Sequence, residues 1–166
     1  MNLLGIDPGT ASTGYGVLAV DGSRMRAIEH GVVETPAGMP LEQRLAAIFD
    51  RVAGLLEAHR PDAAALEDLY VGANPRTVLS VGHARGAVLA ACGRAGVPAD
   101  GYPPAEVKVA VCGYGRADKA QVQRMVGAML GIDTTELADH ATDALAVAIC
   151  HSVRSRGRRL VAAGAR

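Results

Sequence analysis

The sequence predicts an α/β fold in which helices cover one mixed sheet of five strands. The first 34 residues alternate apolar segments with turn residues, which is the pattern of β-strands. From residue 41 the apolar residues recur with the period of an α-helix, and helix-like and strand-like segments then alternate. One sheet flanked by helices is the simplest way to bury the apolar face of every segment.

The opening segments predict a meander of three antiparallel strands. Residues 3–7 are apolar and end at Pro8-Gly9, and two more strand-like segments follow at 14–20 and 25–34. Asp21-Gly22 separates the second from the third and is a sequence typical of a tight hairpin turn. Short turns join antiparallel neighbours, so these three strands should lie side by side.

The later segments predict two further strands that run parallel to the first. A helix predicted over residues 41–56 precedes an apolar segment at 62–67. A helical crossover joins parallel strands, so we expect the strand at 62–67 to be parallel to the one at 3–7. Residues 97–101 are predicted to form a short edge strand. Further helices are predicted at 76–94, 104–112, 118–130 and 140–156, and Asp118 with Gln121 resembles a capping pair at the start of the third of these.

The composition favours a reduced, cytoplasmic protein that does not contact a membrane. The 166 residues carry 17 basic and 17 acidic side chains, which argues against a strongly basic nucleic-acid binder. The three cysteines, Cys92, Cys112 and Cys150, lack metal-ligand spacing. No apolar segment approaches the length of about 18 residues that a membrane helix needs, and the N-terminal residues do not resemble a signal peptide.

Four polar side chains stand where a metal site could form. Asp7 ends the first strand, Glu67 ends the fourth, and His140 and Asp143 share one face of the last helix. Neighbouring strands lie about 4.8 Å apart, so Asp7 and Glu67 would meet at one edge of the sheet. Carboxylates gathered in this way are costly unless cations compensate them. We therefore predict a site for one or two divalent cations.

Each of these residues also has an ordinary structural interpretation. Asp7 precedes Pro-Gly and fits a turn, while Glu67 fits a solvated strand end. His140 and Asp143 fit the first turn of a helix, where acidic residues are favoured by the helix dipole. Asp139 is a better candidate for the helix N-cap than for a metal ligand. Spacing alone leaves these interpretations open.

The motifs around these residues resemble those of the RuvC family of bacterial Holliday junction resolvases. They are Gly5-Ile6-Asp7-Pro8-Gly9-Thr10, Leu66-Glu67-Asp68 and Asp143-Ala144-Leu145-Ala146. The resemblance extends over most of the chain and divides it into a nuclease domain at 1–153 and a basic, flexible tail at 154–166. It implies an RNase H-like fold and paired, symmetric nicks that leave 5′-phosphate and 3′-hydroxyl ends.

The resemblance also implies a cofactor and a set of ligands. Asp7, Glu67 and Asp143 match the family's acidic positions, which bind two ions of Mg²⁺ or Mn²⁺. The chain departs from the family at His140, where many members carry Asp. Imidazole suits Mn²⁺ better than Mg²⁺, so we expect His140 to be a ligand or a proton-handling group and Mn²⁺ to be preferred.

Several basic and aromatic residues resemble the family's DNA-contacting positions. Lys108 matches its active-site lysine, and Lys119 matches a DNA-contacting lysine. Tyr70 would stack on an unpaired base at the junction, as an aromatic residue does at the matching family position. Asn74 would read a base edge or cap the next helix, and Arg76 would extend the phosphate contacts.

The family resemblance further predicts a homodimer. It places the helix at 76–94 on the two-fold interface, and small residues on that helix would allow close approach of a second copy. The interface residues would be Leu79, Gly82, Gly86, Leu89 and Ala90. The expected partners are a four-way DNA junction, a second copy of the chain and a branch-migration motor.

Two alternative functions stay open from the sequence. An RNase H-like nuclease acting on pre-ribosomal RNA would explain Asp7, Glu67 and Asp143, but not the DNA-contacting set. A catalytically inactive junction-binding protein would explain the replacement of Asp by His140. An actin-like or sugar-kinase ATPase shares the first motif, but needs two such domains and is disfavoured by the length of 166 residues.

Overall fold

A computed structural model shows one five-stranded sheet with helices on both faces. It describes the backbone of residues 1–68 and 74–164, with side chains up to residue 157. The strands are β1 (Asn2–Asp7), β2 (Ser12–Asp21), β3 (Arg24–Glu34), β4 (Ala63–Glu67) and β5 (Ala99–Tyr102). Their order across the sheet is β3-β2-β1-β4-β5. The predicted α/β class is therefore confirmed.

The strand directions match those predicted from the sequence. β1 is antiparallel to β2, β2 is antiparallel to β3, and β4 is parallel to both β1 and β5. Gly22 turns the β2–β3 hairpin with a φ of 57°, a conformation that glycine adopts without strain. Because β1 and β4 are parallel neighbours, their carboxyl ends, Asp7 and Glu67, reach the same edge of the sheet.

Five helices are described. α4 begins with the predicted capping pair, since the Asp118 side chain accepts from the Gln121 amide and Gln121 accepts from the Asp118 amide. The helices are α1 (Leu41–His59), α2 (Pro75–Ala95), α3 (Pro104–Cys112), α4 (Lys119–Leu130) and α5 (Asp139–Gly164).

Two predictions about α5 were wrong. The helix continues to Gly164 and does not end at residue 156 as predicted, while the flexibility of residues 154–166 stays a prediction. Arginine, leucine and alanine are good helix formers, and Arg154 also pairs with Glu106 of α3 at 2.9 Å. Asp139 is not the N-cap, because α5 begins at Asp139 and the Ala138 carbonyl accepts the first helical bond. The domain boundary at residue 153 stays a prediction.

The sheet separates two apolar cores. On one face α1 and α2 cover Leu4, Ile6 and Leu66. On the other face α5 lies directly on the sheet, with α3 and α4 packed beside it. Its residues from Ala144 to Cys150 are all buried, so this helix forms the centre of that core.

Glycines on β1 and β2 allow α5 to approach the sheet backbone. A Cβ on Gly5 would overlap the carbonyl oxygen of Ala144, and a Cβ on Gly14 would overlap that of His140. A Cβ on Gly16 would meet the side chain of Leu145. Any other residue at Gly5 or Gly14 would therefore push α5 away from the sheet. This contact fixes the height of His140 and Asp143 above Asp7.

Within residues 1–68 and 74–164, none of the helices combines the length and apolar character that crossing a bilayer requires. The cytoplasmic location inferred from composition stays a prediction.

We expect Gly14→Ala to destabilise the protein by about 1–3 kcal/mol, the usual cost of overpacking a core. The added methyl group would strike the backbone of α5, which cannot rotate away as a side chain can. Urea unfolding measures the change. Gly54→Ala on α1 is the matched control, because its Cβ would enter open space, and it should be neutral or stabilising. Equal stability of both variants would contradict the role given to Gly14.

Candidate active site

The carboxylates at the ends of β1 and β4 meet beneath the first turns of α5. Asp7 lies one position beyond Ile6, which is paired in register with Leu66, the residue before Glu67. His140 on α5 places its Nδ1 atom 2.6 Å from Oδ2 of Asp7, whose side chain is only 16% exposed. A ring nitrogen this close to a carboxylate oxygen donates a hydrogen bond to it. The predicted cluster of Asp7, Glu67, His140 and Asp143 therefore forms.

Glu67 is the most strongly perturbed of these carboxyl groups. Burial, with added repulsion from Asp7 and Asp143, raises the pKa of Glu67 to about 8. Glu67 also forms a hydrogen bond with Asp7, and a bond between two carboxyl groups requires a proton on one of them. In this arrangement Glu67 holds that proton at neutral pH. The three carboxyl groups are thus too close together for all of them to be ionised at neutral pH.

Asp143 is half-buried beside Glu67 and is partly neutralised by Lys119. The Lys119 ammonium lies 3.4 Å from Oδ2 of Asp143 and 3.0 Å from Oδ2 of Asp139. Burial raises the pKa of Asp143, and the charge of Lys119 opposes that shift. Lys119, predicted as a DNA contact, therefore lies inside the cluster. Its side chain is 55% exposed, so it also faces solvent.

A cleft of about 210 Å³ opens beside Glu67 and Asp143. α3 contributes Lys108 to its wall, and α4 contributes Lys119. The ammonium of Lys108 is close enough to Glu67 to oppose the rise of its pKa, although burial has the larger effect. The structure thus brings the predicted active-site lysine to the carboxylate cluster. An anionic group entering this cleft would meet both lysines.

The cluster has the chemistry of a divalent-cation site, although its side chains are turned towards other partners. Among the residues that the structure describes, no three His, Cys, Asp or Glu side chains are arranged to hold a metal ion as they stand. Asp7 faces His140 and Asp143 faces Lys119, which satisfies both carboxylates internally. Three carboxyl groups and one imidazole nevertheless suit Mg²⁺ or Mn²⁺. The predicted ligand set stays a prediction.

The remaining predicted DNA contacts lie at the start of α2 or outside the described residues. Tyr70 falls within residues 69–73, which are not described. Asn74 caps α2, since its side chain accepts a hydrogen bond of 2.9 Å from the Arg76 amide. The capping alternative is therefore confirmed for Asn74. Arg76 is exposed in the first turn of α2, and its contact with DNA stays a prediction.

The predicted interface residues lie on the outer face of α2. Leu79 is 62% exposed and Leu89 is 40% exposed. Of the described atoms, none lies within 4 Å of where a Cβ on Gly82 or Gly86 would be. Ala90 is exposed as well. This face of α2 therefore offers apolar side chains and two small residues to solvent.

No sequence pattern indicates a role for Arg85 or Asp68. The Arg85 guanidinium donates to the carbonyl oxygen of Glu67 at 2.8 Å and pairs with Oδ1 of Asp68, also at 2.8 Å. Glu67 and Asp68 are consecutive in the chain, whereas Arg85 lies at least 17 positions after them. No local motif signals such a contact.

Comparison with known proteins gives consistent matches over most of the chain. The family model described as "Crossover junction endodeoxyribonuclease RuvC" matches residues 3–151. A protein of that name from Chloroflexus aggregans is 49% identical over 152 residues, covering 92% of this chain and 93% of the relative. Another from Thermomicrobium roseum is 48% identical over 160 residues, which cover 96% of this chain and 98% of the relative.

A solved structure is similar as well. Thermus thermophilus RuvC in complex with Holliday junction substrate superimposes with a TM-score of 0.90 at 38% sequence identity. The match covers 95% of this chain and 96% of the Thermus chain.

We expect Glu67→Gln to stabilise the protein in EDTA at pH 8 and to have little effect at pH 4. The pKa of Glu67 is raised to about 8 in the folded state, so wild-type stability falls as pH rises from about 4.5 to 8. The side-chain amide of glutamine does not ionise, so the Glu67→Gln variant should not lose this stability as pH rises. Since one pKa unit corresponds to about 1.4 kcal/mol, the gain at pH 8 should exceed about 1 kcal/mol.

Urea unfolding across this pH range measures the effect. Glu57→Gln is the control, because Glu57 is exposed on α1 and outside the cluster. Glu57→Gln should leave the difference in unfolding free energy between pH 4 and pH 8 as it is in the wild type. A Glu67→Gln variant that follows the wild-type pH profile would contradict the buried, repelled state of Glu67.

Proposed function

Since the chain belongs to the RuvC family of crossover junction endodeoxyribonucleases, we propose that it cuts DNA at the cluster of Asp7, Glu67, His140 and Asp143. It is a Holliday junction resolvase with an RNase H-like fold, a DNA endonuclease of recombination and repair. The observation that supports the site is the meeting of three carboxyl groups, Asp7, Glu67 and Asp143, at one edge of the sheet. They lie beside a cleft that Lys108 and Lys119 help to line.

The reaction is hydrolysis of a phosphodiester bond, which needs an activated water and compensation of charge at the phosphate. Two divalent cations held by Asp7, Glu67, His140 and Asp143 would acidify water and neutralise charge at the leaving oxygen. Asp7 contacts both His140 and Glu67, and it would be one of the residues that hold the cations. Either Mg²⁺ or Mn²⁺ suits this set of donors.

The protein side chains must rearrange slightly for this function. Glu67 has to lose the proton that it holds near neutral pH, which becomes favourable once positive charge replaces the repulsion from Asp7 and Asp143. Asp143 has to release Lys119. The freed ammonium of Lys119 and that of Lys108 then face the entering phosphate, where positive charge stabilises the pentavalent transition state.

His140 takes part through its contact with Asp7. Its ring lies 2.6 Å from the Asp7 carboxylate and is 48% exposed, so it is close enough to bind a cation or to hold a proton at the site. Where Asp would add negative charge, histidine adds none. We therefore infer that His140 shifts the metal preference towards Mn²⁺.

Paired nicks across a symmetric junction require two identical sites, and we propose that a homodimer supplies them. The outer face of α2, with Leu79, Gly82, Gly86, Leu89 and Ala90, is the proposed interface. Exposed leucines beside small residues would allow two copies of α2 to approach closely. Tyr70, Asn74 and Arg76 precede or begin this helix and would contact the junction. A branch-migration motor as a further partner stays a prediction.

The two alternative functions are not favoured. Identity of 49% to a crossover junction endodeoxyribonuclease over 92% of the chain does not favour the ribosomal-RNA nuclease. His140 reaches Asp7, so the replacement of Asp does not by itself dismantle the cluster that an inactive binder would have lost. Incubation with a labelled four-way junction, or with labelled single-stranded RNA, in Mg²⁺ or Mn²⁺ separates the three functions. Symmetric nicks in the junction support the resolvase, and junction binding without nicks supports the inactive binding protein. Cleavage of RNA only supports the ribosomal-RNA nuclease.

We expect Asp7→Asn to lower the nicking rate by about a thousandfold or more, the effect of losing several kcal/mol of charge stabilisation. Junction binding, measured by gel shift without divalent metal, should change little because Asp7 does not line the lysine side of the cleft. Asp50→Asn on the exposed side of α1 is the control and should cut normally. Loss of binding together with cutting would indicate that Asp7 is structural.

We expect His140→Asp to improve the use of Mg²⁺ relative to Mn²⁺. An added carboxylate prefers the harder ion, and the ratio of half-saturating Mg²⁺ to Mn²⁺ should fall by roughly tenfold, about 1.4 kcal/mol. Nicking rates against metal concentration give both values from one preparation. An unchanged ratio would argue that His140 is not a ligand.

A further inference from the structure

We propose that Arg85 is a positioning residue for Glu67, which holds the end of β4 in the place where the Glu67 carboxylate can bind metal. The inference rests on the proposed function, in which Glu67 is a metal ligand. Arg85 itself does not contact the cluster's carboxylates in the described structure. It acts through the backbone of Glu67 and the side chain of Asp68.

Arg85 forms a two-point contact with the end of β4. One guanidinium nitrogen donates to the Glu67 carbonyl oxygen at 2.8 Å, and the other pairs with Oδ1 of Asp68 at 2.8 Å. The Arg85 side chain is only 20% exposed, so both contacts are partly shielded from water. A planar fork that binds two acceptors at once fixes orientation as well as distance. A single ammonium would not reproduce this geometry.

The other side of this contact is closed by β5. The Asp68 amide donates to the Tyr102 carbonyl at 2.8 Å, which extends the β4–β5 pairing past Glu67. Gly101 leaves the space that the ion pair occupies, because a Cβ there would overlap Oδ1 of Asp68 and come within 2.8 Å of the Arg85 guanidinium. Glu67 is therefore held from α2 on one side and from β5 on the other.

Asp68 also keeps Arg85 away from the metal ligands. A guanidinium beside an unpaired Glu67 carboxylate would form a bidentate ion pair and would compete with a cation. Here one guanidinium nitrogen of Arg85 pairs with Asp68, and the other donates to the Glu67 carbonyl oxygen. The Glu67 carboxylate therefore stays directed towards Asp7. The arrangement fixes the backbone of Glu67 without neutralising its side chain.

The test measures Mn²⁺ affinity of the full chain without DNA, by the EPR signal of free Mn²⁺, together with junction-nicking rates. We expect Arg85→Met to weaken Mn²⁺ binding by about tenfold or more, the usual effect of losing an outer-shell partner of a ligand. Arg85→Lys should recover part of that loss because it keeps the charge. Junction binding measured without divalent metal should stay within about twofold of wild type.

Two further variants separate positioning from simple structural support. Gly101→Ala keeps both charges but displaces the ion pair, and should weaken Mn²⁺ binding in the same direction as Arg85→Met. Arg94→Met is the matched control, since Arg94 is an exposed arginine of α2 that lies over the Phe49 ring. It should leave Mn²⁺ affinity and nicking unchanged. If Arg85→Met does not fold, Gly101→Ala and Arg85→Lys decide the question.

Glu67→Gln distinguishes failure of this inference from failure of the proposed site. If Glu67→Gln weakens Mn²⁺ binding while Arg85→Met and Gly101→Ala do not, Arg85 has no positioning role. If Glu67→Gln also leaves Mn²⁺ affinity unchanged, Glu67 is not a ligand, and both the site assignment and the role of Arg85 are overturned. A lower unfolding temperature with unchanged Mn²⁺ affinity would mean that Arg85 only supports the fold.

Discussion

The close contact between α5 and the glycines of β1 and β2 determines where the candidate site of this protein forms. Gly5 and Gly14 bring the backbone of α5 against the sheet, so that His140 reaches Asp7. The same contact buries the alanine-rich segment that follows Asp143. One packing interaction thus builds a core and sets the height of two site residues above a third. A wider separation would move His140 and Asp143 away from Asp7 and Glu67.

The site that results is held together by partial compensation of charge. Asp7 accepts a hydrogen bond from His140, and Asp143 faces Lys119. The pKa of Glu67 is raised mainly by burial and then by repulsion from these two carboxylates. Each of these partners is exchangeable, because a proton, an imidazole or an ammonium can give way to a stronger cation. Metal binding and entry of a DNA phosphate would therefore favour each other, since both engage groups that now pair internally.

The sequence predicts most of the fold because its strands and helices have clear local signals. Alternation, the Asp21-Gly22 turn and the crossover before Ala63 suffice for the order and directions of the strands. The Asp118–Gln121 capping pair is local as well, and it is confirmed. The extent of α5 and the position of Asp139 were missed. Lys119 draws Asp139 into an ion pair, and Arg154 pairs with a distant helix, so neither outcome depends on neighbouring residues alone.

The sequence by itself determined which residues are candidates for the chemistry, since Asp7, Glu67, Lys108 and Asp143 match motifs of the family that it resembles and His140 shares a helix face with Asp143. Only the tertiary structure decided how these groups perturb one another. The raised pKa of Glu67 depends on burial and on charges 60 or more positions away, and Arg85 meets Glu67 only because α2 packs across the end of β4. Local patterns encode segments and motifs, whereas electrostatic coupling depends on distances that exist only after the chain has folded.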